Sequence, residues 1–433
     1  MAIASRGARP TSTASRPCEN RVTRPLKIKP LKIALVSNLY SPNVVGGAEL
    51  VAQDVAESLV LRGHSVSVIT LHRGARAQSA MLNGVQVHYR PLRNLYWPFP
   101  ISPAGTAGKV AWHLIDAYNP ASGGAFGRLL DEIRPDVVNT HNIAGFSVAI
   151  WKAIKRRGLP LVHTLHDHYL LCPYSTMFKN GSNCTRQCLG CRLAAAPRAR
   201  MTRLVDVVIG VSRYILERHR ARGLFALSEC RVVYSGCRLA VPDAGLPASD
   251  SRALLRIGFL GALSPHKGVE RLLEAFLMLP AGTAQLRIAG SGDPAYVAHL
   301  KQRALGRDDI SWLGFVGPET YLPQLDVLVV PSLVNEAMGR VVLEAFSSGV
   351  PVLAADRGGV PELIDERCGR LFDPDDAPSL ARLLGELIAQ PQRLAPMRQA
   401  ARARARDFSA DAMLSGYLAA YAEALERARS PSG

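Results

Sequence analysis

Short runs of consecutive apolar residues alternate along the chain with longer stretches of helical period, and this alternation predicts parallel sheets covered by helices on both faces. The run LKIALVS at 31–37 reads as a buried strand, and 50–62 reads as a helix with Val51, Val55, Ala56 and Leu59 on one face. Further strands are expected at 65–71, 84–90, 136–141, 161–165 and 206–211. The Pro- and Ala-rich stretch 240–252, AVPDAGLPASDSR, breaks the pattern and marks a domain boundary. Strands then resume with LRIGFLG, LRIAGSGD and WLGFV (312–316). The segment 95–118, with Tyr96, Trp97, Phe99, Trp112 and Tyr118, interrupts the alternation. It reads as a lid or acceptor-side insertion, or equally as a plain surface hairpin or helix. An amphipathic stretch at 408–425 carries Met413, Leu414, Tyr417, Leu418 and Tyr421.

The stretch 331–356, PSLVNEAMGRVVLEAFSSGVPVLAAD, carries the chemistry that the strands and helices frame. The apolar run 327–330 stops at Pro331, a loop holds Glu336 and Gly339, and 340–348 has helical spacing up to Gly349, before Pro351 opens a second buried strand. Glu336 and Glu344 stand on either side of a helix start whose free N–H groups and partial positive charge favour an anion. An anion flanked by carboxylates that accept hydrogen bonds from hydroxyls describes a sugar nucleotide. Gly46 and Gly47, just before the first helix, allow close backbone approach to a ligand or simply mark a turn. His141 and the His166–Asp167 pair fall at strand carboxyl ends, where open parallel sheets bind ligands, while mid-strand His163 is left as core. Lys267, before a helix beginning near Gly268, can meet a diphosphate as a point charge. GSGDPA lacks the third glycine of a dinucleotide fingerprint, so an NAD reading has little support.

The run E-A-M-G-R-V-V-L-E-A, then G-V-P-V-L-A, then G-G-V-P-E resembles the signature of the retaining family-4 (group 1) glycosyltransferases. The resemblance covers nearly all of 31–425. It implies the GT-B architecture, two Rossmann-like domains facing a central cleft, with the C-terminal helix crossing back onto the first domain. It also implies that Glu336 meets the donor sugar, Glu344 holds the ribose hydroxyls, and the backbone of Met338, Gly339 and Arg340 cradles the diphosphate. Gly358, Gly359 and Glu362 match the segment that follows. By the same resemblance Gly46 and Gly47 touch the donor phosphate, His141 and His166 lie in the donor cleft with His141 near the transferred sugar, Lys267 binds the diphosphate, Gly290 ends a strand at the nucleotide face, and Val316 lines the base pocket. The family's usual arginine after the strand glycine is Ala262 here, so His266 or Arg340 is expected to compensate. The implied activity is transfer from a UDP- or GDP-sugar to a glycan or lipid-linked acceptor in cell-surface polysaccharide synthesis, with retention and no metal at the donor. A sugar-nucleotide epimerase and a non-catalytic sugar-nucleotide sensor are the alternatives.

Length and charge then set the frame. A chain of 433 residues suits two domains of roughly 200 residues, here 31–240 and 253–405, with a crossover helix and tail at 406–433. Residues 1–30 hold seven Lys or Arg against Glu19 and lack a secretory apolar core, and read as a disordered basic leader. The net charge of +17 favours anionic partners, and with no apolar run near ~18 residues it suggests a cytoplasmic protein, peripheral at an anionic inner membrane face. A zinc-containing nucleic-acid binder would use that charge but leaves the carboxylate pair unexplained, so no nucleic-acid partner is expected. Cys172, Cys184, Cys188 and Cys191 form C-x11-C-x3-C-x2-C within a polar loop. They suit a structural zinc or iron–sulfur clip at 172–191, or remain free thiols.

Overall fold

The computed structural model describes residues 29–44, 46–99, 105–237 and 254–430. The basic leader, apart from 29 and 30, and the boundary at 240–252 lie outside the described residues. The first sheet contains β1 (Lys32–Val36), β2 (Ser65–His72), β3 (Gln78–Leu82), β4 (Val85–Pro91), β5 (Val137–Thr140) and β6 (Leu161–Leu165). After the small hairpin β7 (Phe178–Lys179) and β8 (Ser182–Asn183), it is completed by β9 (Val207–Gly210) and β10 (Glu229–Val232). Its order is β10-β9-β6-β5-β1-β2-β4-β3, parallel except where β3 pairs antiparallel with β4. The second sheet, all parallel, has β11 (Leu255–Leu260), β12 (Ala284–Ala289), β13 (Ile310–Gly314), β14 (Val327–Val330), β15 (Val352–Ala355) and β16 (Gly369–Phe372). Its order is β13-β12-β11-β14-β15-β16.

β9, β14 and β15 are continuous apolar runs because helices cover both faces, and every residue of these strands and of β5 is buried. Edge strands β3 and β10 were not expected, since each is half exposed and lacks a continuous apolar run. The signal for β3 was the dipeptide Asn83-Gly84, both left-handed (φ 49° and 77°), which closes the β3–β4 hairpin. The expected helix at 50–62 begins earlier, over Gly47–Leu61, so Gly46 is its N-cap and Gly47 its first residue. β13 ends at Gly314, which places Val316 beyond the strand rather than within it. The aromatic segment holds a helix, Thr106–Ala117, that buries Trp112 and Asp116.

The last helix, Ala410–Arg429, crosses back onto the first sheet. Its Met413, Leu414, Tyr417 and Tyr421 join the cluster of Ile33, Val55, Val137 and Ile209. The polar half of β5 is satisfied by this packing: Asn139 Nδ2 donates to Tyr421 Oη at 2.9 Å, and Thr164 Oγ1 donates to Asn139 Oδ1 at 3.2 Å. Arg231 to Glu423 at 2.6 Å pins the outer side of the same helix.

Candidate functional site

The carboxyl ends of both sheets carry the residues singled out in the sequence. β14 delivers the chain to the loop 331–339, and Gly339, left-handed at φ 93°, turns it into the helix Arg340–Ser347. Two glycines elsewhere let this loop sit where it does. A Cβ on Gly268 (φ 72°) would lie 1.9 Å from the Pro331 carbonyl oxygen, and one on Gly358 (φ 63°) would lie 2.2 Å from that of Glu336. The G-G segment of the sequence is therefore the wall against which the Glu336 loop rests, tied by Gly359 N–H to the Glu336 carbonyl at 2.8 Å.

Both glutamates of the pair hold a cation with one carboxylate oxygen and leave the other unbonded among the described residues. Lys267 Nζ and Ser332 Oγ each donate to Glu336 Oε1 at 2.6 Å. Arg340 Nε donates to Glu344 Oε1 at 2.8 Å, and Arg340 Nη1 donates to Asp54 Oδ2 at 2.8 Å, an acid on the first domain's helix. Burial raises the Glu336 carboxyl, but the Lys267 charge and the bonds from Lys267 and Ser332 outweigh it, and its pKa ends below the usual carboxylate value. Arg340 thus stands between the two domains, and Gly47 packs beside it, with a Cβ there 3.7 Å from the Arg340 side chain. Asp54 was invisible to sequence reasoning because it lies on a helix face among ordinary solvated acids. Ala262 is exposed, and Lys267 and Arg340 are paired with the glutamates on either side of the helix start.

On the first domain, His141 at the end of β5 contacts His166 after β6, Nδ1 to Nε2 at 2.8 Å, with the rings stacked at 5.0 Å. Tyr417 of the crossover helix stacks on the other side of His141 at 6.0 Å. Burial first, then His166 and His163, lowers His141 well below the usual histidine value, and burial lowers His166 to about 3. Both rings are neutral at physiological pH. His141 Nε2 is buried without a partner among the described residues. The two rings line a cavity of about 140 Å³ together with Asn38, Phe99, Asp167 and Ser175. His163 is core, as read: it is buried, bonded to Thr140 Oγ1 at 2.9 Å and packed edge-on to Trp151.

Gly290 (φ 142°) is required by the backbone, since a Cβ would lie 1.7 Å from the Gly261 carbonyl. It also lines an open pocket of about 400 Å³ with Ser291, Gly292, Lys301, Trp312 and Gly314. Val316 lies outside that lining and is partly buried against the core. Glu362 anchors the first domain, accepting from Arg213 N–H at 2.8 Å, Tyr214 N–H at 2.7 Å and Tyr234 Oη at 2.9 Å.

Among the described residues no three His, Cys, Asp or Glu side chains are grouped closely enough to hold a metal ion, and the four cysteines do not close into a ligand set. Cys188 instead caps the helix Leu189–Met201, accepting from Cys191 N–H, while Cys191 Sγ lies 3.9 Å from Cys172 Sγ. That backbone N–H lowers the Cys188 pKa, and burial pushes Cys191 up to about 12.

Comparison with known proteins agrees with the geometry. Residues 45–241 match the family Glycosyltransferase Family 4, and residues 254–406 match Glycosyl transferases group 1. A Klebsiella pneumoniae relative, described as an uncharacterized 42.6 kDa protein in cps region, is 33% identical over 77% of this chain and 87% of its own length. The fold is shared with sucrose-phosphate synthase from Thermosynechococcus elongatus, at TM-score 0.70 and 20% identity over 92% of this chain and 98% of that one. It is also shared with Anabaena HepE, solved in complex with UDP and glucose, at TM-score 0.67 and 22% identity over 90% and 99%. Two Rossmann-like domains, their sheets parallel but for β3, give the chain a GT-B fold, and it belongs to the group 1 glycosyltransferases of family 4.

Proposed function

We propose that the protein moves a sugar from a UDP- or GDP-sugar to a hydroxyl of a glycan or lipid-linked glycan, with retention of configuration and without a metal at the diphosphate. The observation that carries this is the matched state of the two glutamates, each tied to a cation through one oxygen with the other open. Glu336 Oε2 accepts from a hydroxyl of the donor sugar, and Glu344 Oε2 accepts from the ribose. The departing diphosphate gains negative charge, and three features offset it: the Arg340 guanidinium, the two unused N–H groups of Lys267, and the free N–H groups at the start of Arg340–Ser347. The acceptor oxygen bonds the anomeric carbon on the face from which the phosphate oxygen leaves, and its proton passes to that phosphate oxygen. His141, neutral and with Nε2 unpartnered, hydrogen-bonds the transferred sugar.

The UDP and glucose bound by HepE support a nucleotide-sugar donor, and the cps-region relative supports a polysaccharide product. A panel of UDP- and GDP-hexoses, scored for hydrolysis and transfer in the presence of EDTA, tests the reading. Turnover of at least one donor with an α-linked product from an α-donor is expected. Inversion, or activity abolished by EDTA, overturns the mechanism.

No helix among the described residues is long and apolar enough to cross a membrane, and the net charge of +17 suits an anionic bilayer face where a lipid-linked acceptor would reside. Binding to anionic but not neutral vesicles, released at high salt, is the expected result of sedimentation. No binding to either points to a soluble acceptor.

A further inference from the structure

The loop after β6 leaves the first domain and returns to it, yet its tip touches the second. The hairpin β7–β8 turns through Asn180 and Gly181, both left-handed (φ 52° and 75°). Its base is fastened at several points. Cys184 N–H donates to the Met177 carbonyl at 2.7 Å, Gln187 Nε2 donates to the Leu171 carbonyl at 2.6 Å, and Cys172 is buried against Cys191. Arg218 and Arg222, on and just after the helix Arg213–Arg220, hold the carbonyls of Cys184 and Thr185. From this braced position Asn183 reaches the second domain. Its Nδ2 donates to the Leu333 carbonyl at 2.6 Å, and its Oδ1 accepts from Asn335 N–H at 2.8 Å. On the same side Phe178 comes within 6.5 Å of the His266 ring, one residue from Lys267.

Leu333 and Asn335 lie three residues and one residue before Glu336, and their groups point to one side chain of the opposite domain. A single primary amide supplies the acceptor and the donor that a neighbouring strand would supply, so the loop is held in register without being part of a sheet. On the other flank of Glu336, Ser212 Oγ of the first domain donates to the Ala337 carbonyl. The Glu336 loop is therefore gripped from the first domain on both sides of its glutamate.

We infer that Asn183 is a positioning residue for glycosyl transfer: it registers the Glu336 loop against the first domain, so that the carboxylate paired with Lys267 meets the sugar only when the domains are together. The Cys-bearing insertion is the arm that carries it. This rests on the transferase reading given above. The chemistry of the side chain is specific, because aspartate keeps the acceptor for Asn335 but sets an anion against the Leu333 carbonyl, and alanine loses both bonds.

The test compares Asn183→Ala and Asn183→Asp with Ser182→Ala, a change on the same hairpin, in the full chain. With the donor identified by the panel, both Asn183 variants should lose at least ten-fold in kcat, with nucleoside-diphosphate Kd within about three-fold of wild type. Ser182→Ala should retain both. Hydrogen exchange of the peptide spanning 331–339 should be faster in Asn183→Ala than in wild type, a readout that needs no turnover. Full kcat together with unchanged exchange in the Asn183 variants overturns the inference. Equal losses of kcat and diphosphate affinity also overturn it, since they mean general collapse of the site. If Asn183→Ala does not fold, Asn183→Asp carries the same comparison. An inactive wild type with every donor counts against the transferase reading instead, and the exchange result then still decides whether Asn183 holds the loop.

Discussion

Glu336 and Asp167 show how differently two places in the fold treat half-buried carboxylates. Glu336 faces Lys267 and is held below its ordinary value, so it stays ionised through the mildly acid range. Asp167, beside the histidine pair, is raised by burial to about 6, with Glu49 adding to the rise, while the Tyr169 N–H and Arg198 oppose it. A raised carboxylate pKa means that the folded state prefers the protonated form. That contribution is full below the unfolded value of 3.8 and is lost as pH rises through about 6. About two pKa units correspond to an upper limit near 3 kcal/mol at neutral pH. Asp167→Asn, which keeps the acceptor for Tyr169, should therefore raise Tm by a few degrees at pH 8 and change it little at pH 4. Thermal melts at the two pH values check this, and an equal shift at both would mean that folding does not raise the Asp167 pKa.

At the scale of elements, the strand–loop–helix around Glu336 was legible because three constraints coincide there: a buried parallel strand must be apolar, a loop before a helix start must free its N–H groups, and a helix must end on a residue that can turn left-handed, here Gly349 at φ 69°. The edge strands β3 and β10 were not legible by the same rule, because both are partly exposed and need no continuous apolar run. Packing adds to what the sequence says of two further residues: Gly290 is required by the Gly261 backbone while also lining an open pocket, and Val316 lies outside that lining. Lys267 and Glu336 are 69 positions apart, and nothing in a single sequence says that they meet; a fold-level resemblance placed both at one ligand, and the structure adds that they bond each other. Gly268, between Lys267 and its helix, is the joint that allows this. Gly268→Ala forces a side chain into left-handed backbone and onto the Pro331 carbonyl, and should lower stability by about 2 kcal/mol or more. Urea unfolding at constant m value measures it, and a loss under 0.5 kcal/mol would mean that the two loops separate easily.

Across the whole molecule the cleft is stitched by polar groups rather than by a sheet. Arg340 to Asp54, Glu362 to the helix start at Arg213 and Tyr214, Ser212 to Ala337, and Asn183 to Leu333 and Asn335 all join the two domains around one loop. Contacts of this kind exchange readily with water and with ligand, which suits a cleft that opens to load a donor and closes to transfer it. Arg340 is the member shared by both functions, since it ties the domains through Asp54 and holds Glu344 beside the proposed ribose site. In the proposed complex Glu344 and Glu336 divide the donor between them, the first holding the nucleotide and the second the sugar. Isothermal titration of the cognate nucleoside diphosphate into wild type, Glu344→Ala and Glu336→Gln tests it most directly. Glu344→Ala should weaken binding by about 1.5–3 kcal/mol, roughly ten- to a hundred-fold, as the ribose loses a charged acceptor. Glu336→Gln should leave the affinity within a few-fold. Unchanged affinity in Glu344→Ala, or an equal loss in both variants, would contradict the account.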